Sequence, residues 1–248
     1  MSNEWIKSRL ASLVYGDRIS IVPRFLRANW PQRMFLKRFL VELRIDCVLD
    51  VGANGGQYGA ELRRIGYRGR IFSFEPDPTA FARLQQRVAG DDQWHALNLA
   101  LGRSAGRYDF NIMAVSLFNS FRSPSVEETD RFAGANEVAE VVSVEVARLS
   151  DVIPELARRY GPGRIFLKMD TQGFDAEVFA GGQEVHRDIL GLQSEIGIKR
   201  LYAGVDHWTD QLRHYQESGF DLAGMFAVNP EEREVLELDC YFRAANAS

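Results

Sequence analysis

No stretch of this chain approaches the roughly 18 consecutive apolar residues of a membrane-spanning helix, which argues against an integral membrane segment. Cysteine is scarce. Cys47 and Cys240 both fall in apolar segments that read as strands, so buried free thiols are expected rather than a disulfide or a cysteine metal site. Glu4, Lys7 and Arg9 interrupt the first residues, so no secretory signal is expected there and the cytoplasm is the expected compartment. A surplus of positive charge is missing as well. The net charge of −4 argues against a nucleic-acid partner, whose phosphates would have to be neutralised. Charge is uneven, however: residues 1–44 hold nine Lys and Arg against three acids, so the remainder carries −10. Solvated helical faces account for this, and weak attraction to an anionic membrane surface or an acidic substrate is the other reading.

What the chain does have is an alternation of two periodicities. Residues 1–45 read as a helical cap with breaks near Gly16, Pro23 and Pro31, and residues 46–248 as the main domain. Apolar strands are expected at Cys47–Val51, Ile71–Phe74, Trp94–Leu101, Tyr108–Met113, Val141–Val146, Arg164–Met169 and Leu190–Ile196, and near 220–227 and 235–243. Helical stripes lie between them: Tyr58, Leu62 and Ile65; Phe81, Leu84 and Val88; Ile153, Leu156 and Tyr160; Trp208, Leu212 and Tyr215. Asp77 followed by Pro78 reads as a helix start, and Ser150 as another cap. Ser116 to Asn136 is too polar for core. Strands alternating with helices imply an α/β fold, a parallel sheet wound on both sides.

The most informative stretch is Asp50-Val-Gly52-Ala-Asn54-Gly55-Gly56-Gln57, where an apolar strand runs into a glycine-rich turn and then a helix. Small residues there let backbone N–H groups approach a nucleotide-like ligand, and the helix N-terminus adds unpaired donors. A dinucleotide turn reads G-x-G-x-x-G, but counting from Gly52 the other glycine positions hold Asn54 and Gln57. Asp50 would repel a pyrophosphate and suits a ligand with a cationic end. S-adenosylmethionine, with its ammonium and sulfonium, is such a ligand. Glu75 ends the next strand 25 residues beyond Asp50 and can accept both ribose hydroxyls. Dehydrogenases use the same device. A nicotinamide-dependent oxidoreductase and a non-catalytic adenosyl-ligand-binding protein are therefore the alternatives to a methyltransferase. Ligands in open α/β sheets sit at the carboxyl ends of strands. On that rule Asp50, Gly52, Asn54, Gly56 and Gln57 take the methionine part, Glu75 the ribose, and Asn98 and Ala100 the adenine.

The segment Phe166-Leu-Lys168-Met-Asp170-Thr-Gln172-Gly173-Phe-Asp175-Ala-Glu177-Val-Phe-Ala-Gly181 makes the reading specific. With Asp50–Gln57, Phe74-Glu75-Pro76 and Asp239–Phe242, it resembles the FkbM-family methyltransferases over about residues 46–243. The resemblance implies the Rossmann-like class I fold, with a seven-stranded, mostly parallel sheet whose last strand is antiparallel. It also implies methyl transfer from S-adenosylmethionine to a hydroxyl of a small molecule of sugar, glycolipid or polyketide type. Two positions depart from the family pattern: Asp175 replaces the usual glutamate, and Phe118-Asn119-Ser120 stands where a pair of serines is usual.

Methyl transfer from a sulfonium requires alignment and a destination for the acceptor's proton. Asp170 ends the strand expected to pass the methyl group and is the candidate base, with Lys168 on the same strand face as its partner. A Lys–Asp–Gln network that merely shapes the loop is the structural alternative. Ser120, Gln172 and Glu195 are expected on the acceptor side. His207 is a further candidate there, although a surface histidine at a helix start would look the same. Magnesium on Asp170, Asp175 and Glu195 is chemically allowed because oxygen ligands suit it, but no metal-ligand spacing calls for it. Phe174 reads as core.

Overall fold

The computed structural model describes residues 30–125, 137–161, 163–228 and 234–247. The expectations for residues 1–29 and 126–136 lie outside the described residues. In chain order the elements are α1 (Trp30–Glu42), β1 (Cys47–Val51), α2 (Gln57–Arg64), β2 (Arg70–Phe74), α3 (Pro78–Val88), β3 (Trp94–Leu97), β4 (Ala100–Leu101), β5 (Gly106–Met113), β6 (Val138–Ala147), α4 (Leu149–Tyr160), β7 (Ile165–Met169), α5 (Asp175–Ala180), β8 (Ile189–Gly197), α6 (Trp208–Glu217), β9 (Phe220–Ala227) and β10 (Glu237–Ala244).

β1 and β7 are buried at every position, as befits central strands covered on both faces. They lie within a seven-stranded sheet of order β3-β2-β1-β7-β8-β10-β9. The pairs from β3 to β8 are parallel, and β10 runs antiparallel to both its neighbours. One face carries Phe166, Lys168, Gln193 and Tyr241. It packs under α1 through Phe35 and Phe39, and under α2 through Tyr58. The other face carries Phe72, Ser194 and Phe242 and packs under α4, α5 and α6 through Tyr160, Asp175 and Tyr215. Leu36, Phe39 and Leu40 of α1 lie in the same core as the sheet, so the described end of the N-terminal segment is part of that core. Cys47 and Cys240 are buried free thiols whose pKa values burial pushes up to about 12. Among the described residues no helix is long and apolar enough to cross a membrane.

Three local expectations are corrected. Trp94–Leu101 is two strands, because the Asn98 amide turns back to donate to the carbonyls of Glu75 and Pro76, ending β3 at Leu97. β4 then joins β5 and β6 in a separate three-stranded sheet, so the segments at 108–113 and 141–146 do not enter the main sheet. Ser150 lies inside the first turn of α4, whose N-cap is Arg148, and its hydroxyl is buried with no partner among the described residues. Asp77 does cap α3, accepting from Thr79 N at 2.8 Å.

One row across the main sheet is polar where its surroundings are not. Ser73, Asp50, Lys168, Gln193 and Tyr241 are register partners on successive strands β2, β1, β7, β8 and β10. The Trp94 indole donates to Ser73 Oγ, which donates to Asp50 Oδ2 at 2.8 Å. Lys168 Nζ sits 3.1 Å from Asp50 Oδ1 and above the Tyr58 ring. Tyr58 donates to Gln193 Oε1, and Gln193 with Gln32 of α1 donates to the two oxygens of Asp239. Buried polar groups are tolerated when each finds a partner, and the pairing here runs almost unbroken from β3 to α1.

Candidate active site

A cavity of about 310 Å³ opens at the carboxyl ends of β1, β2, β7 and β8, where an open α/β sheet binds its ligands. Its first half is built on the β1 turn. Gly52 has φ 74, and a Cβ there would meet Asp170 O at 2.0 Å, so only glycine fits the position. Asn54 also holds a left-handed φ, of 46, and its backbone N–H donates to Glu75 Oε2 at 2.7 Å. Asp77 N donates to Glu75 Oε1 at 2.9 Å. Burial pushes the Glu75 pKa up to about 7, even though those two N–H groups favour the anion. Leu99, Ala100 and Leu101 form an apolar wall beside it.

The roof of this half is the single-turn segment Ser116–Phe118, which precedes Asn119. Asn54 Nδ2 donates to Ser116 O, and Asn119 Nδ2 donates to Asp77 Oδ2 at 3.0 Å. Two asparagines therefore tie the roof to the floor.

The second half is lined by Asp170, Gln172, Glu195 and Glu237, with Phe110, Phe121 and Phe174 as apolar walls. Asp170 follows β7 directly and its side chain is 39% exposed, whereas Lys168 behind it is buried. Burial works against the Lys168 ammonium, but the carboxylates of Asp50 and Asp170 outweigh it and hold the lysine charged. Gln172 Nε2 donates to both Asp170 Oδ1 and Glu195 Oε2. Burial, reinforced by the charges of Asp170, Glu237 and Asp239, holds the Glu195 pKa well above the usual carboxylate range.

The structure brings Gly52, Asn54, Glu75, Ala100, Asp170, Gln172 and Glu195 to this cavity. It places the other candidates elsewhere. Asp50 is fully buried and paired with Ser73 and Lys168, so its side chain does not face the cavity; Lys168 likewise stands behind the wall. Gly56 serves the turn as the left-handed N-cap of α2, and Gln57 reaches only Asn54 Oδ1. Asn98 is exposed and bonded to the Glu75 and Pro76 carbonyls. Buried Ser120 donates to Gln172 O and accepts from Arg122 N, which makes it a latch between loops rather than a contact for an acceptor. His207 caps α6 through Thr209 and is exposed, away from the cavity. Asp175 has one oxygen engaged by Thr171 and the other by Ser194 and Glu195 N, leaving it no direction for a metal. No cluster of three or more His, Cys, Asp or Glu among the described residues is arranged to hold a metal ion.

Sequence reasoning passed over the apolar walls. Phe174 lines the cavity as well as packing against the core, with the Arg122 guanidinium over its ring. Phe118 and Phe121 were visible as aromatics in an otherwise polar stretch, a pattern more typical of a binding loop than of a solvated one.

A model of the FkbM methyltransferase domain matches residues 50–216. The 2-O-methyltransferase NoeI of Sinorhizobium fredii is 28% identical over 176 residues, 66% of this chain and 69% of that protein. Methyltransferase sdnD of Sordaria araneosa is 30% identical over 166 residues, 58% of this chain and 62% of that protein. Among solved structures, a Burkholderia thailandensis 1,6-didemethyltoxoflavin-N1-methyltransferase aligns with a TM-score of 0.48 at 13% identity, over 97% of this chain and 88% of that one. The domain match begins at the Asp50 turn and runs through Asp170 and Glu195 into α6, taking in most of the chain, and the protein belongs to the FkbM family of S-adenosylmethionine-dependent methyltransferases.

Proposed function

We propose that the enzyme methylates a hydroxyl oxygen of a small-molecule acceptor of sugar, glycolipid or polyketide type, in the cytoplasm and with no nucleic-acid partner. The observation that carries the reading is the pairing, in one cavity, of the buried Glu75 beside the β1 turn with the rim carboxylates Asp170 and Glu195. A hydroxyl acceptor has a proton to lose and lone pairs to satisfy, and carboxylates with an amide between them suit both needs. The name of one relative, the 2-O-methyltransferase NoeI, agrees with transfer to oxygen.

When bound, S-adenosylmethionine supplies a methyl group on a sulfonium, so the departing thioether needs no proton. The chain's own residues do the rest. Glu75 accepts the ribose hydroxyls, and the Leu99–Leu101 wall takes the adenine. Asp170 accepts the acceptor's proton, while Lys168 orients its carboxylate from behind. Asn119 holds the roof that keeps water from the reacting groups.

Incubation with S-adenosylmethionine labelled in its methyl group and a panel of glycosylated and polyketide acceptors tests the reading. Label in an ether linkage is the expected result. Label found only on nitrogen or carbon refutes it.

A further inference from the structure

Asp170 and Glu195 are bridged by one nitrogen. Gln172 Nε2 lies 3.0 Å from Asp170 Oδ1 and 2.9 Å from Glu195 Oε2, so both its hydrogens are committed. An amide between two carboxyl groups can be turned either way, and turned the wrong way it sets its carbonyl oxygen against both. Tyr202 selects the orientation: its hydroxyl donates to Gln172 Oε1 at 2.6 Å. Tyr202 is buried and its backbone is bridged to Pro124, so the hydroxyl is held in place. The Gln172 backbone is fixed too. It holds a left-handed φ of 53, Ser120 Oγ donates to its carbonyl, and Arg122 Nε donates to the next carbonyl, that of Gly173.

We infer that Tyr202 is a positioning residue of the active site, which, by fixing the Gln172 amide, holds Asp170 and Glu195 one hydrogen-bonded nitrogen apart and sets the plane of each. The inference rests on the reading that Asp170 takes the acceptor's proton. Asp170 Oδ1 is held by Gln172, and Oδ2 lies 3.5 Å from Lys168 Nζ, so its carboxylate is restrained from both ends. Glu195 Oε2 is occupied, and Oε1 has no hydrogen-bond partner among the described residues. Burial and the charges of Asp170, Glu237, Asp239 and Asp175 push the Glu195 pKa well above the usual carboxylate range. With Oε2 accepting from Gln172, a proton taken up by Glu195 belongs on Oε1, and the pair then offers one acceptor and one donor.

The test is Tyr202→Phe, which removes only the hydroxyl, compared with the full-length wild type by NMR. The readouts are hydrogen exchange of the Gln172 side-chain amide, assigned with Gln172→Ala, and ¹³C titration of the Glu195 carboxyl, assigned with Glu195→Gln. The expected result is amide exchange faster by about tenfold, the scale of one lost hydrogen bond between neutral groups, with unchanged S-adenosylmethionine affinity. The Glu195 midpoint should move upward, because its anion loses a donor. An unmoved midpoint and unmoved exchange overturn the inference, as does a lower melting temperature with the midpoint in place, the mark of mere loop support. Asp170→Asn, assayed on the acceptor found by labelling, separates the two claims. Full activity there removes the base and the inference together; lost activity with an unmoved Tyr202→Phe titration removes the inference alone.

Discussion

In the half of the cavity proposed for the cofactor a carboxylate is satisfied by backbone, whereas in the half proposed for the acceptor side chains satisfy one another. Glu75 takes the N–H groups of Asn54 and Asp77, which the β1 turn and the α3 cap hold in place. Asp170, Gln172 and Glu195 depend on a side-chain network that ends in Tyr202. Backbone donors are indifferent to the identity of most residues around them, so the first arrangement tolerates sequence change at its edges. The second is only as firm as each of its side chains. The cofactor half suits a ligand that never changes, and the acceptor half one that differs between enzymes.

The comparison is broken most severely at Asp170. Asp170→Asn should keep cofactor affinity and lower kcat by about 10²–10⁴-fold, measured in single-turnover assays with labelled cofactor. A variant of unchanged kcat would mean that the acceptor half holds no base at this position. Glu75→Ala strikes the other half. It should weaken S-adenosylmethionine binding by about 1.5–3 kcal/mol, read by calorimetry, with the fold intact.

The pH response sharpens the contrast. Burial pushes the Glu75 pKa from its ordinary 4.5 up to about 7, and in the proposed role its anion accepts the ribose hydroxyls. Cofactor affinity should therefore fall as pH drops below 7, by at most about tenfold per unit, and level off above it. Binding near pH 6.5 should release protons, seen as a buffer-dependent enthalpy, and Glu75→Gln should abolish that release. For stability the sign is opposite. The raised value means that the folded state holds this proton more tightly, so Glu75 erodes stability as pH rises from about 4.5 to 7. The smallest expected effect is at the tie between roof and floor. Asn119→Ala should cost about 1 kcal/mol of stability and raise the cofactor Kd several-fold, leaving the acceptor KM within about twofold.

The cofactor half was legible because its parts are local. A strand, a glycine turn and an acid 25 residues on belong to one strand-helix-strand unit, and Asn54 and Gln57 in place of the phosphate-turn glycines favoured S-adenosylmethionine over the nicotinamide alternative. Even so, Asp50 was misplaced. Strand alternation says which face a residue takes but not whether a buried lysine waits on the neighbouring strand, and Lys168 does. Asn98, Ser120 and His207 share another difficulty: short polar side chains and helix-start histidines bond to nearby backbone as readily as to a ligand. Tyr202 carried no local signal. It lies outside every periodic segment, and only the folding of the 198–207 loop against the 170–173 turn brings it to Gln172.

The 2.0 Å between a Cβ at Gly52 and the carbonyl of Asp170 also bears on how such an enzyme can change over generations. The β1 turn and the β7 end that carries Asp170, the proposed base, touch backbone to backbone, across neighbouring strands. Neither can be remodelled alone, and a substitution at Gly52 would displace the base along with the turn. The Phe110, Phe121 and Phe174 walls of the other half have no such restriction, since they meet the cavity through side chains alone. On the reading proposed above, new acceptors can thus be explored by mutation of those walls, while the donor turn and the proposed base are inherited as a single piece.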